Sequence, residues 1–337
     1  MLESTWFILW GILWAVYFML DGFDLGLGSL MPVLAKNEED KKIIFNSMGP
    51  FWDGNEVWLI SAGGVTFAAF PTTYAVMFSS LYTPLMLILF ALILRGVSFE
   101  FRSKINNLKW KSIWDLCLII GSFLPALLFG VAFANIFKGL PIDGEGLLHG
   151  NILTLLNPYG LVGGLLFVLL FLVHGALWLI IRSDGDLQER AISLVPKLWI
   201  ILLIISVAFL VATWFYTPLY NNYLTDPILF IIPIITVISL LNTRYHISKD
   251  AWLKAWTASC FTIFTAVMFG VIGLYPNMFP STIDPSYSLN IHNSSSSPLT
   301  LKIMLIVALI VIPIVIAYQT WVYFLFKGKT KDNEMIY

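Results

Sequence analysis

Apolar residues in this chain come in runs of twenty or more, broken by short clusters of charge, proline or asparagine, and do not follow a two- or four-residue alternation. A helix needs about 20 residues to cross a hydrocarbon core of about 30 Å. That ruler predicts nine membrane spans, at 5–33, 47–70, 74–101, 113–137, 158–182, 191–216, 227–245, 252–275 and 299–326. The breaks carry turn or charge chemistry, such as Pro71, Lys104 to Lys111, Pro141 to Asn157 and the Ser/Asn-rich stretch from Pro276 to Pro298, read as external and mobile. The seventh span is the weakest of the nine, with Pro233 inside it and Asn242, Arg244 and His246 at its end. The expectation is an all-α polytopic membrane protein forming a single membrane domain over 1–337, with two four-helix groups and one peripheral helix.

Lys and Arg are distributed unevenly between the connections. Lys36, Lys41 and Lys42 lie in the first, Arg102, Lys104, Lys109 and Lys111 in the third, Arg182, Arg190 and Lys197 around the fifth, and Arg244, Lys249 and Lys254 around the seventh. Lys327, Lys329 and Lys331 make the tail, whereas the even-numbered connections hold only Lys138, with Lys302 near the last. By the positive-inside rule the N-terminus is outside and the C-terminus cytoplasmic, which requires an odd number of spans. A leader is not expected, because Glu3 precedes the first apolar run and no small-residue cleavage site follows it.

Composition supports the same class. Of 337 residues 58% are hydrophobic and 12% charged, about half the usual charge of a soluble domain. With 19 basic against 20 acidic residues there is no basic surface for nucleic acid. Cys117 and Cys260 sit apart in apolar runs and read as packing residues.

So little charge makes its placement informative. An ionisable residue inside a span is a functional candidate, since its desolvation must be offset by a partner or by water. Asp21 and Asp24 share one face of the first span, and Asp53 and Glu56 one face of the second. Arg95 lies in the third and His174 in the fifth. At 1.5 Å per residue, Arg95 and His174 sit about 10–12 Å inside the cytoplasmic end, at a depth similar to the acids. One guanidinium cannot neutralise four carboxylates, so at least one acid must hold a proton or be reached by water. Such a cluster suits proton entry; it also suits a plain helix lock, and His174 reads equally as a hydrogen-bonded bundle residue. Gly22 and Gly26 in the first span, Gly63 and Gly64 in the second and Gly160 and Gly164 in the fifth have the small-residue spacing of close helix contacts. There is no P-loop, no dinucleotide fingerprint, no metal-spaced His/Cys cluster and no pair of intramembrane histidines for a bis-imidazole haem. His149, His246 and His292 fall in or beside connections.

Two strings carry a resemblance. DGFDLGLG at 21–28 and GPFWDGNEVWL at 49–59, followed by LRGVSFEFR at 94–102 and by NPYGLVGGLL and HGALWLIIRSDGDLQERA within 157–191, resemble subunit II of the cytochrome bd quinol oxidases. The match is close over six spans and topological over the last three. The resemblance implies a multi-pass subunit of a quinol:oxygen oxidoreductase in a bacterial cytoplasmic membrane, active in aerobic respiration. Its partner, subunit I, would carry two b-type haems and haem d and oxidise quinol, while this chain holds no catalytic residue or metal. The resemblance also admits a bound quinone and a small single-span accessory subunit. The family's subunit II stabilises its partner and supplies acids for proton uptake. The matching positions are Asp21, Asp24, Trp52, Asp53 and Glu56, with Arg95 as counter-charge; Asn55 completes the second motif and His174 is a secondary participant. The rival readings are a proton-coupled secondary transporter, against which the purely aliphatic later spans argue, and a purely structural membrane partner.

Overall fold

The computed structural model describes residues 1–330, so Lys331 of the tail lies outside the described residues. The described residues form fourteen α-helices. The first span is two of them, α1 (Leu2–Leu20) and α2 (Gly22–Leu34), meeting at Asp21. The short α3 (Glu38–Met48) follows, then α4 (Trp52–Ala69), α5 (Pro71–Ser80), α6 (Tyr82–Phe101) and α7 (Leu108–Lys138). After the one-turn α8 (Ile152–Leu155) come α9 (Pro158–Arg182), α10 (Gly185–Tyr216), the short α11 (Tyr220–Thr225), α12 (Ile231–Ile247), α13 (Trp252–Leu274) and α14 (Pro298–Leu325).

Local chemistry explains where these helices begin. Asn107 caps α7 by accepting from the Lys109 and Trp110 amides, and Asn157 with Pro158 opens α9. Ser297 with Pro298 opens α14 in the same way. Asn37 caps α3, whose first turn holds Glu38, Glu39 and Asp40 against the positive end of the helix dipole.

Among the described residues eight helices are long and apolar enough to cross a membrane, counting α1 with α2 as one. The expected second span, α4, is not among them, because Asp53, Asn55 and Glu56 crowd its first turns. It also starts later than expected, after a turn at Gly49–Phe51, and the expected third span breaks at Leu81 into α5 and α6. The Pro276–Pro298 stretch is not a loose loop. Asn277–Phe279 pairs antiparallel with Leu289–Asn290, and Met278, Phe279 and Ile291 are buried beneath it.

Helices α1/α2, α4, α6 and α7 form one group and α9, α10, α12 and α13 another, joined where α2 and α7 pack on α9 and α1 packs on α13. α14 is the peripheral helix: only Leu301 of it is buried. Side-chain hydrogen bonds fasten it, among them those from Trp6 Nε1 to the Leu301 carbonyl (2.9 Å), from Trp58 Nε1 to Gln319 Oε1 (2.8 Å) and from Gln319 Nε2 to the Gly54 carbonyl (2.7 Å).

Small residues set the tightest seam. A Cβ on Gly26 would lie 1.7 Å from the Phe171 carbonyl oxygen, and one on Gly175 2.5 Å from the Leu27 nitrogen, so α2 and α9 touch backbone to backbone. Gly22 faces the Phe171 ring, and Gly160 and Gly164 have similarly close neighbours. Gly63 and Gly64 do not: nothing lies within 4 Å of a Cβ at either, so the expected contact there is absent.

Candidate functional site

The break at Asp21 positions the chemistry. Where α1 gives way to α2, two backbone carbonyls receive side chains from other helices: Met19 O takes Nε2 of His174 (3.0 Å) and Leu20 O takes Nδ2 of Asn55 (3.2 Å). Asp21 and Asp24, fully buried on either side of this joint, point toward α4 and α6. Arg95 Nη2 reaches Asp21 Oδ1 at 2.7 Å and Glu56 Oε1 at 2.5 Å. Arg95 and Asp21 are wholly enclosed, whereas the Glu56 side chain keeps 24% exposure. Asn55 Nδ2 also donates to Asp24 Oδ2 (2.7 Å), and Tyr323 of α14 donates weakly to Asn55 Oδ1 (3.4 Å).

Several polar atoms in this pocket lack a well-formed hydrogen bond within the protein: Asp21 Oδ2, Asp24 Oδ1, Nε and Nη1 of Arg95, and the buried Tyr17 hydroxyl beside Asp21. Buried polar groups are almost always satisfied, and water is the group that satisfies such atoms in a polar site. Three carboxylates from two spans thus face one guanidinium in a buried cluster whose polar atoms are only partly satisfied by the protein.

Of the six expected acids and bases, four come together: Asp21, Asp24, Glu56 and Arg95. Asp53 does not join them. Its position on α4 turns it outward, where it is exposed and accepts from its neighbour, the Gly54 amide. It lines a cavity of about 260 Å³ between α4 and α14, whose other walls include Asn55, Gln319 and Tyr323. His174 does not join them either. Its Nδ1 lies 2.6 Å from Ser259 Oγ, its ring stacks on Trp256 at 5.3 Å, and with Nε2 on Met19 it clamps α9 and α13 to the helix joint. Trp52 lies flat on Phe99 (5.1 Å, 2° between ring planes) and covers Gly96, sealing α4 against α6.

A further ion network centres on Asp115, which the sequence pattern does not single out. Asp115 is buried and bonds Arg102 Nε at 2.5 Å and Lys41 Nζ at 2.9 Å; Glu38 bonds the same two cations at 3.0 and 3.1 Å. This network ties α3 to the ends of α6 and α7. Partial burial opposes it, but the bonds to Lys41 and Arg102 hold Glu38 below the usual carboxylate range; against the pull of its own burial, Lys41 is raised by Asp115 and Glu38. Its only advance signal was the basic third connection facing the acidic start of α3.

Both nitrogens of His174 are engaged within the protein, and among the described residues no three of His, Cys, Asp or Glu are grouped to hold a metal ion.

The sequence model of cytochrome bd terminal oxidase subunit II matches residues 2–326. The chain belongs to that family. It is 36% identical over 335 residues to cytochrome bd ubiquinol oxidase subunit 2 of Bacillus subtilis, covering 99% of this chain and 98% of the relative. It is 34% identical over 368 residues to the cytochrome bd-I ubiquinol oxidase subunit 2 of Escherichia coli K12, covering 98% and 96%. In fold it is similar to a chain of the bd oxidase of Geobacillus thermodenitrificans, with a TM-score of 0.77 and 18% identity over 96% of this chain and 98% of that one. The chain is thus a multi-pass subunit of a quinol oxidase of the bacterial cytoplasmic membrane, with a subunit I as partner, and the transporter reading is not favoured.

Proposed function

We propose that this chain is the haem-free half of the oxidase and that its acids form part of the route by which cytoplasmic protons reach the site of oxygen reduction. Nine crossings place Asp53 on the cytoplasmic side, with α4 as the second crossing despite its polar start, and the N-terminus outside. The carrying observation is the continuity of polar groups from surface to interior. Asp53 stands at the rim of the cavity between α4 and α14, Asn55 at its inner wall, and Asn55 holds Asp24. Beyond Asp24 lie Asp21, Arg95 and the partly exposed Glu56.

Each group has a part its chemistry can play. Asp53, in water, collects a proton. Asp24 takes it in the hydrated interior, where an isolated carboxylate is costly and a protonated one is not. Arg95 stays charged, lowers the cost of the Asp21 and Glu56 carboxylates, and orients both. Asn55 and His174 are positioning residues, holding the joint that aims Asp21 and Asp24. The two b-type haems and haem d supply the redox chemistry from subunit I, and this chain stabilises that subunit by packing. A small single-span accessory subunit and quinol at the partner complete the complex.

The test is purification of the complex, an optical spectrum, and quinol-driven oxygen consumption. The spectrum should show haem co-purifying with this chain, and Asp53→Asn should leave that spectrum unchanged while slowing turnover. Unchanged turnover reduces these acids to structural roles.

A further inference from the structure

Between α3, the end of α6 and the start of α7 lies a second polar cavity of about 310 Å³, unconnected with the acid cluster. Its charged lining is Lys42, Arg102 and Lys111, its neutral polar lining Ser103 and Asn106, and Phe45 and Phe99 form its inner wall. The charges are not balanced. Arg102 and Lys41 are fully matched by Asp115 and Glu38, so the four-residue network has no net charge. Lys42 and Lys111 are left over: among the described residues neither has a carboxylate within 4 Å, and Lys111 donates only to Asn106 Oδ1 (3.1 Å). The cavity is therefore cationic by two, with hydroxyl and amide groups beside the ammonium groups, which is the donor set of a phosphate.

Its surroundings say which phosphate. Trp110 and Trp114 meet edge to face beside it, ring centres 5.6 Å apart, the residue type enriched at the membrane–water interface, and Trp110 Nε1 is tied to the Phe101 carbonyl. Next to the polar lining Phe101 and Ile105 are nearly half exposed and Leu108 is 71% exposed, an apolar apron at the same level. A ligand with a phosphate and acyl chains fits both halves of this surface, whereas a free anion uses only one. We infer that the cavity is a binding site for the headgroup of an anionic phospholipid, with the phosphate between Lys42 and Lys111, the glycerol by Ser103 and Asn106, and the chains over Phe101, Ile105 and Leu108. Bound there, the lipid fastens α3 to the α6–α7 turn, the same junction that the ion network holds.

The experiment uses the whole oxidase complex, stripped progressively of lipid in detergent and weighed by native mass spectrometry after exposure to phosphatidylglycerol, phosphatidylcholine or inorganic phosphate. The wild type should keep phosphatidylglycerol in preference to phosphatidylcholine, and millimolar phosphate should not displace it. A basic residue at an anionic membrane surface contributes about fivefold in affinity, so Lys42→Gln/Lys111→Gln should retain phosphatidylglycerol about 25-fold more weakly. Lys42→Arg/Lys111→Arg should retain it normally. Lys111→Gln alone, which leaves the four-residue network untouched, should lose about fivefold and serves if the double variant does not assemble. Equal retention by the Gln variants, equal retention of phosphatidylcholine, or displacement by inorganic phosphate overturns the assignment.

Discussion

Replacing Arg95 by Gln removes the charge that Asp21 and Glu56 share, and the structure allows its cost to be worked out. Arg95 and Asp21 are fully enclosed, so neither can turn to bulk water when its partner is lost. Unit charges about 4 Å apart interact by about 4 kcal/mol at an effective dielectric constant of about 20. Breaking a buried pair by deleting one member costs about 3–5 kcal/mol, because the survivor stays buried and uncompensated. Arg95→Gln should therefore destabilise the chain by about 3–5 kcal/mol. Asp21→Asn should cost less, about 1–3 kcal/mol, since Arg95 keeps Glu56 at 2.5 Å. The double variant loses the pair rather than one half of it, so the two costs should fall short of additivity by about 2 kcal/mol. Denaturant titration of the complex in micelles, followed by circular dichroism, measures the cycle. A coupling below about 0.5 kcal/mol refutes the shared-charge account, for then Arg95 and Asp21 are neighbours that do not depend on each other.

Other outcomes follow from the same geometry. Gly26→Ala drives a methyl into the Phe171 carbonyl and should cost at least about 3 kcal/mol or prevent assembly, while Gly63→Ala, with open space around it, should be neutral; thermal melting of the two variants checks the contrast. Glu38 is held below the usual carboxylate range, so its contribution is present above the unfolded pKa of about 4.3 and is lost as pH falls through the lower folded value. The melting temperature should accordingly drop on acidification below about pH 4, and Glu38→Gln should remove part of that drop while lowering stability at neutral pH. Asn55→Leu removes the donor shared by Leu20 and Asp24, and should slow turnover without changing the haem spectrum.

Much of the fold was legible because hydrocarbon admits few alternatives: apolar runs of twenty residues become helices, and ionisable residues inside them must find each other. Asp21, Asp24, Glu56 and Arg95 were brought together for that reason. The parts that were not legible depend on rotation and register, which an apolar run does not record. Asp53 and Glu56 are three residues apart on one helix, yet one faces the cavity rim and the other Arg95. His174 shares the cluster's depth but meets Ser259 and Met19, partners far away in the chain. Gly63 and Gly64 are small enough for a close helix contact, yet nothing lies within 4 Å of a Cβ at either. The Asp115 network joins three elements across the first and third connections, and only tertiary structure shows that both acids meet both cations.

The central claim, that buried acids of this chain carry protons for oxygen reduction, is tested most directly by timing proton uptake with a pH-indicating dye as the reduced complex meets oxygen, in the wild type and in Asp24→Asn. The substitution keeps the shape of the side chain and removes its titratable proton. Slowed uptake with an unaltered haem spectrum is the predicted result. Uptake at the wild-type rate would place the proton route elsewhere and leave the cluster a lock between helices.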